Sequence, residues 1–199
     1  MLTKLKARIQ ELLSSTARGA HRIGLTPNAV SGLGIVFALL SAIVYWRASP
    51  TMPLLVLAVV LLMISGFCDA LDGILARLYG ETTVFGGFLD SLLDRYADAM
   101  VLGGVVFGGF CDASWGFIAV IGALLVSYAR ARAEAAGVKM ESIGLAERPE
   151  RILILAIASL AALAWSEALR WGMILLAFLT NLTVLQRVIY FYRASKKKL

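Results

Sequence analysis

Apolar positions along the chain gather into six long stretches, spanning about residues 28–46, 53–77, 85–110, 115–136, 149–165 and 171–192. Each approaches the roughly 20 residues that a helix needs to cross a bilayer. A different pattern precedes them. Leu2, Leu5, Ile9, Leu12 and Leu13 recur at helical spacing, with Lys4, Lys6, Arg8 and Glu11 on the other side. That predicts an amphipathic helix over residues 2–20, lying in the membrane interface rather than crossing it. Residues 2–22 have no continuous apolar core of the kind found in a cleaved signal peptide. The expected fold is all-α and integral to the membrane: six transmembrane helices over 27–195, preceded by the interfacial helix. With no internal repeat and no low-complexity linker, residues 1–199 read as one domain.

Composition supports this. Of 199 residues, 60% are hydrophobic and 16% charged, with a mean hydropathy of +0.82. A soluble domain carries about 25% charged residues. Most of the 19 lysines and arginines fall where six crossings place one face of the bundle. Arg47 and Arg170 fall on the other face, and Arg95 lies within the third stretch. The basic face is expected to be cytoplasmic, with both termini and the active site there, in the plasma membrane. The net charge of +6 then reflects topology and an anionic lipid surface, and nucleic acid is not an expected partner. Cys68 and Cys111 sit in or near apolar runs and suggest no disulfide framework. His21 is the sole histidine, so acid–base chemistry falls to carboxylates.

Acids within membrane helices are costly and mark function. Asp69 and Asp72 are three apart in the second stretch, and Asp90 and Asp94 four apart in the third, so each pair shares a helical face. A short turn joins the two stretches, which predicts antiparallel neighbours with all four carboxylates at similar depth. Four carboxylates at close quarters need cations. Oxygen-only ligands favour Mg²⁺, Mn²⁺ or Ca²⁺. Hard cations suit phosphoryl chemistry, in which two ions can clamp the attacking and leaving oxygens. Gly73, Gly86 and Gly87 would admit a ligand close to the backbone. Arg77, one turn beyond Gly73, could hold a phosphate. An ion-translocating acidic pair is the alternative.

The order Asp69-x2-Asp72-Gly73-x2-Ala76-Arg77-x8-Gly86-x3-Asp90-x3-Asp94 resembles the signature of the CDP-alcohol phosphotransferase family at every fixed position. The resemblance implies a six-helix, homodimeric membrane enzyme dependent on two Mg²⁺ or Mn²⁺ ions. Asp69, Asp72 and Asp90 would bind the metal, with Asp94 as a further ligand and general base. Gly73, Arg77 and Thr83 would contact the CDP group. The Thr26-Pro27-Asn28-x2-Ser31 segment resembles a short family motif near the cytidine, which adds Pro27 and Asn28. The same segment also reads as a helix start, with Thr26 as cap. The implied reaction passes the phospholipid group of a CDP-lipid to an alcohol and releases CMP.

The second half bears on the acceptor. Ser127-Tyr128-Ala129-Arg130-Ala131-Arg132-Ala133-Glu134 and Glu147-Arg148-Pro149-Glu150-Arg151 resemble the phosphatidylinositol-phosphate synthase branch and its archaeal counterpart, which uses an archaeol lipid. By that resemblance the acceptor is an inositol phosphate, held by Arg130, Arg151 and Arg187 with Ser127. Arg132 and Arg148 are expected only to snorkel and set topology. Asp98 is expected to pair with Arg95 or Arg130, or to line the acceptor pocket. The competing readings are a glycerol 3-phosphate acceptor and, in a different class, a divalent-cation transporter.

Overall fold

The computed structural model describes residues 13–48, 52–140 and 143–196, with residues 52 and 53 by backbone only. Every regular element among them is a helix. They are α1 (13–22), α2 (Pro27–Arg47), α3 (Met52–Tyr79), α4 (Val84–Phe107), α5 (Ala113–Ala135), α6 (Arg148–Ala161) and α7 (Ala168–Lys196). The expected amphipathic segment over 2–20 lies mostly outside the described residues. Its last part is helical and packs Ala17 against Val30, Leu71 and Leu75 of α2 and α3.

Local chemistry sets the helix ends. Thr26 caps α2 by accepting from Ala29 N–H at 3.3 Å, and Pro27 follows, where a helix has no use for its missing N–H. α3 closes at Gly80, whose φ of +68° is left-handed. Glu81 N–H then donates back to the Ala76 carbonyl at 2.9 Å, the closure that such a glycine permits. Three residues later Thr83 caps α4 by accepting from Gly86 N–H at 2.9 Å.

Four described helices are long and apolar enough to cross a membrane: Pro27–Arg47, Leu54–Tyr79, Ala113–Ala135 and Ala168–Lys196. α4 matches them in length at 24 residues but carries Asp90, Asp94, Arg95 and Asp98. α6 has only 14 residues, about 21 Å of rise. The fifth apolar stretch was expected to continue to residue 165, but its last part forms turns.

Packing departs from the expected hairpin. α3 and α4 touch little beyond their connecting turn, and α2 packs along both. Gly104 of α4 makes this possible, because a Cβ there would lie 2.4 Å from the Ala42 carbonyl oxygen. α6 lies against α3 and α7, and α5 against α4 and α7. Their shared core includes Ala38, Tyr45, Leu62, Val101, Val105, Leu155, Met173 and Leu176. Tyr45 and Ser159 hydroxyls bond at 2.7 Å, which satisfies two polar groups in this apolar core. The two aspartate helices are thus held by α2 with a cleft between them, and α6 starts beside that cleft.

Candidate active site

One carboxylate oxygen each of Asp69, Asp90 and Asp94 lies within 4.8 Å of the others. Asp72 lines the same cleft but turns its buried carboxylate to α2, where it accepts from Ser31 Oγ. The four acids therefore line one cleft, in which three converge and the fourth stands beside them. The donor set is all carboxylate oxygen, which suits a hard divalent cation.

The structure supplies a cation here from an unexpected source. Arg148, the first residue of α6, places Nη1 2.7 Å from Asp69 Oδ1 and 2.8 Å from Asp94 Oδ1. Its Nε lies 3.7 Å from Asp98 Oδ1. The side chain is only 13% exposed, so Arg148 does not snorkel outward as the sequence reading held. The signal was present. Arg148 and Arg151 are three residues apart and share a helical face, so an inward Arg151 favours an inward Arg148. Arg132, by contrast, is exposed near the end of α5.

A cavity of about 200 Å³ opens on one side of the cleft. It gathers every residue expected at the CDP group: Pro27, Asn28, Gly73, Arg77 and Thr83, together with Asp72 and Asp90. Arg77 folds back over its own helix, so that a Cβ at Gly73 would meet its Nη1 at 3.3 Å. Outside this rim, His21 of α1 stacks on Tyr79 with ring centroids 3.6 Å apart.

On the other side lies a cavity of about 170 Å³, lined by Asp94, Asp98, Ser127, Arg130, Glu147, Arg148, Arg151 and Arg187 among others. It brings together the expected Ser127 and Arg130 of α5, Arg151 of α6 and Arg187 of α7. Their guanidinium groups are already engaged. Arg130 Nε meets Glu134 Oε1 at 2.9 Å. Arg151 donates to Asp98 and, at 2.9 Å, to the Ala146 carbonyl. Arg187 donates to the Ile143 carbonyl at 2.8 Å, to the Val126 carbonyl, and to Glu147 at 3.0 Å. Thr183 Oγ1 accepts from the N–H groups of Leu145 and Ala146, fixing the same loop to α7.

Asp98 pairs neither with Arg95 nor with Arg130. Its partners are Arg151 and Arg148, while Arg95 donates to the Ser91 carbonyl of its own helix. Asp98 joins α4 to α6 and lines the second cavity.

Residues 24–184 match the model of the CDP-alcohol phosphatidyltransferase family. The archaetidylinositol phosphate synthase of Pyrococcus horikoshii is 39% identical over 197 residues, covering 99% of this chain and 98% of that protein. The phosphatidylinositol phosphate synthase of Mycobacterium marinum is 33% identical, covering 92% of this chain and 80% of that protein. Among solved structures, the Mycobacterium tuberculosis phosphatidylinositol phosphate synthase with CDP-DAG bound superposes with a TM-score of 0.79 at 31% identity, covering 92% of this chain and 94% of that one. The same enzyme in complex with manganese and citrate also gives 0.79, over 90% and 88% of the two chains. The three converging aspartates, the two cavities beside them and these likenesses agree: the chain belongs to the CDP-alcohol phosphatidyltransferase family.

Proposed function

We propose that this enzyme transfers the phospholipid group of CDP-diacylglycerol or CDP-archaeol to a hydroxyl of an inositol phosphate, releasing CMP. The observation that carries the reading is the second cavity, which sets Arg130, Arg151, Arg187 and Ser127 around a space bordered by Asp94. Guanidinium forks suit a phosphomonoester. The names of the relatives support the same acceptor.

The residues divide the work. Pro27, Asn28, Gly73, Arg77 and Thr83 hold the CDP group in the first cavity. Asp69, Asp72, Asp90 and Asp94 would hold two Mg²⁺ or Mn²⁺ ions, which supply charge neutralisation for the pyrophosphate. Arg130, Arg151, Arg187 and Ser127 hold the acceptor phosphate, which orients its hydroxyl toward the cleft. Asp94 borders both the cleft and the second cavity and takes the hydroxyl proton. The hydroxyl oxygen bonds to the phosphorus nearest the lipid, the bond from that phosphorus to the CMP oxygen breaks, and CMP leaves. Positioning and charge stabilisation carry the rate.

The same reading sets the frame. α2 to α7 cross the membrane as six helices, with the short α6 and the acid-bearing α4 completed by their neighbours. α1 lies at the interface, and both cavities face the cytoplasm from the plasma membrane. A homodimer is the assembly that the family resemblance supports.

The test is CMP release by the purified protein in detergent, with Mg²⁺ or Mn²⁺, a CDP-lipid, and either inositol 1-phosphate or glycerol 3-phosphate. Release that requires the inositol phosphate is expected. Release that requires glycerol 3-phosphate would retain the family chemistry and overturn the acceptor.

A further inference from the structure

Arg148 borders both the aspartate cleft and the arginine-lined cavity. Its Nη1 stands between Asp69 Oδ1 and Asp94 Oδ1, at 2.7 and 2.8 Å, yet makes no aligned hydrogen bond to either. Its Nε is likewise buried without an aligned partner and leans toward Asp98 at 3.7 Å. Arg151 on the same helix face is secured by Asp98 and the Ala146 carbonyl, with only its Nε unbonded, whereas the close contacts of Arg148 are to the two aspartates of the cleft.

We infer that Arg148 is an internal cation that competes with the divalent metal for Asp69 and Asp94, and that metal binding drives its guanidinium into the acceptor cavity as a further phosphate ligand. This rests on the reading of Asp69, Asp90 and Asp94 as metal ligands. The physical reason is that a divalent ion at those two oxygens and a guanidinium within 3 Å of them are like charges contending for the same partners. The side chain has a place to go. Asp98 forms part of the acceptor cavity wall, and Arg151 and Arg187 already line it, so a phosphate there compensates the arriving charge. The exchange makes Arg148 a positioning residue that links the two halves of the site. Metal loading completes the acceptor pocket, and by linkage the acceptor phosphate strengthens metal binding by the same factor.

Mn²⁺ binding to the full-length protein in detergent, read by electron paramagnetic resonance without turnover, tests this in R148Q and wild type. R148Q is expected to bind Mn²⁺ about tenfold or more tightly, since the competing charge is gone. In wild type, inositol 1-phosphate should tighten Mn²⁺ binding severalfold, and R148Q should lose most of that coupling. The wild-type measurement stands even if the variant folds poorly, and R148K should keep part of the competition. Equal or weaker Mn²⁺ binding by a folded R148Q overturns the inference, as does coupling that R148Q leaves intact. D90N separates this outcome from failure of the metal reading itself. Loss of Mn²⁺ binding in D90N keeps the ligands while the Arg148 result decides the exchange, and undiminished binding in D90N removes the metal site on which the exchange depends.

Discussion

The two cavities flanking the aspartates are built in opposite ways. The first, the proposed nucleotide cavity, comes from the opening of α2 and the turn between α3 and α4 with the helix ends that flank it, with small residues and capped helix starts forming its wall. Arg77 is its one arginine. The acceptor-side cavity draws on α4, α5, α6, α7 and the loop before α6, and its arginines are held by Glu134, Asp98, Glu147 and backbone carbonyls. The first is shaped by backbone and is open to a ligand as it stands. The second is a network of paired charges, which the proposed acceptor phosphate would enter by exchange. Mutations in the first should read as changes in shape, and mutations in the second as changes in charge.

The largest expected effect sits between the two. Asp94→Asn removes the proposed proton acceptor and should lower the rate of CMP release by roughly 10³-fold while leaving CDP binding largely intact, as steady-state rates and nucleotide titration can show. Full activity in that variant would remove Asp94 from the base role. Arg151→Ala comes next. It strips a proposed phosphate ligand from the second cavity and leaves the part-buried Asp98 without its nearer arginine, so the acceptor KM should rise roughly 100-fold with some loss of thermal stability. An unchanged acceptor KM would take Arg151 out of the pocket.

Arg130→Ala is milder and cleaner. Arg130 is part-exposed and, among the described residues, bonds only to Glu134 of its own helix, so the fold should survive while the acceptor KM rises about tenfold. On the opposite side, Thr83→Ala removes the cap of α4 at the rim of the nucleotide cavity. It should cost about 1 kcal/mol of stability and raise the CDP-lipid KM severalfold, with the acceptor KM unmoved. If Arg130→Ala and Thr83→Ala raised the same KM, the division between the cavities would collapse.

The contrast also explains what was legible in the chain. Asp69, Asp72, Asp90 and Asp94 could be placed because i+3 and i+4 spacing and one short turn fix their relative positions locally. Pro27, Asn28 and Thr83 could be placed because they are also helix starts. The partners of Asp98 could not, because Arg148 and Arg151 reach it only after α6 docks against α3 and α7, a contact that no local periodicity encodes. The intrusion of α2 between α3 and α4 was equally hidden. α2 is apolar on all sides, so its pattern names no packing face, and the close approach at Gly104 and Ala42 shows only in three dimensions. The length of α6 was overestimated because the apolar run persists into turns after Ala161.

The arginine-lined cavity is proposed to select a phosphorylated alcohol. The most direct measurement is the ratio of kcat/KM for inositol 1-phosphate over free inositol in the wild-type enzyme, at fixed CDP-lipid and metal. A ratio of roughly 100 or more in favour of the phosphate is predicted from the loss of charged hydrogen bonds in free inositol. Equal use of the two alcohols would contradict it and leave the arginines as structural ties alone.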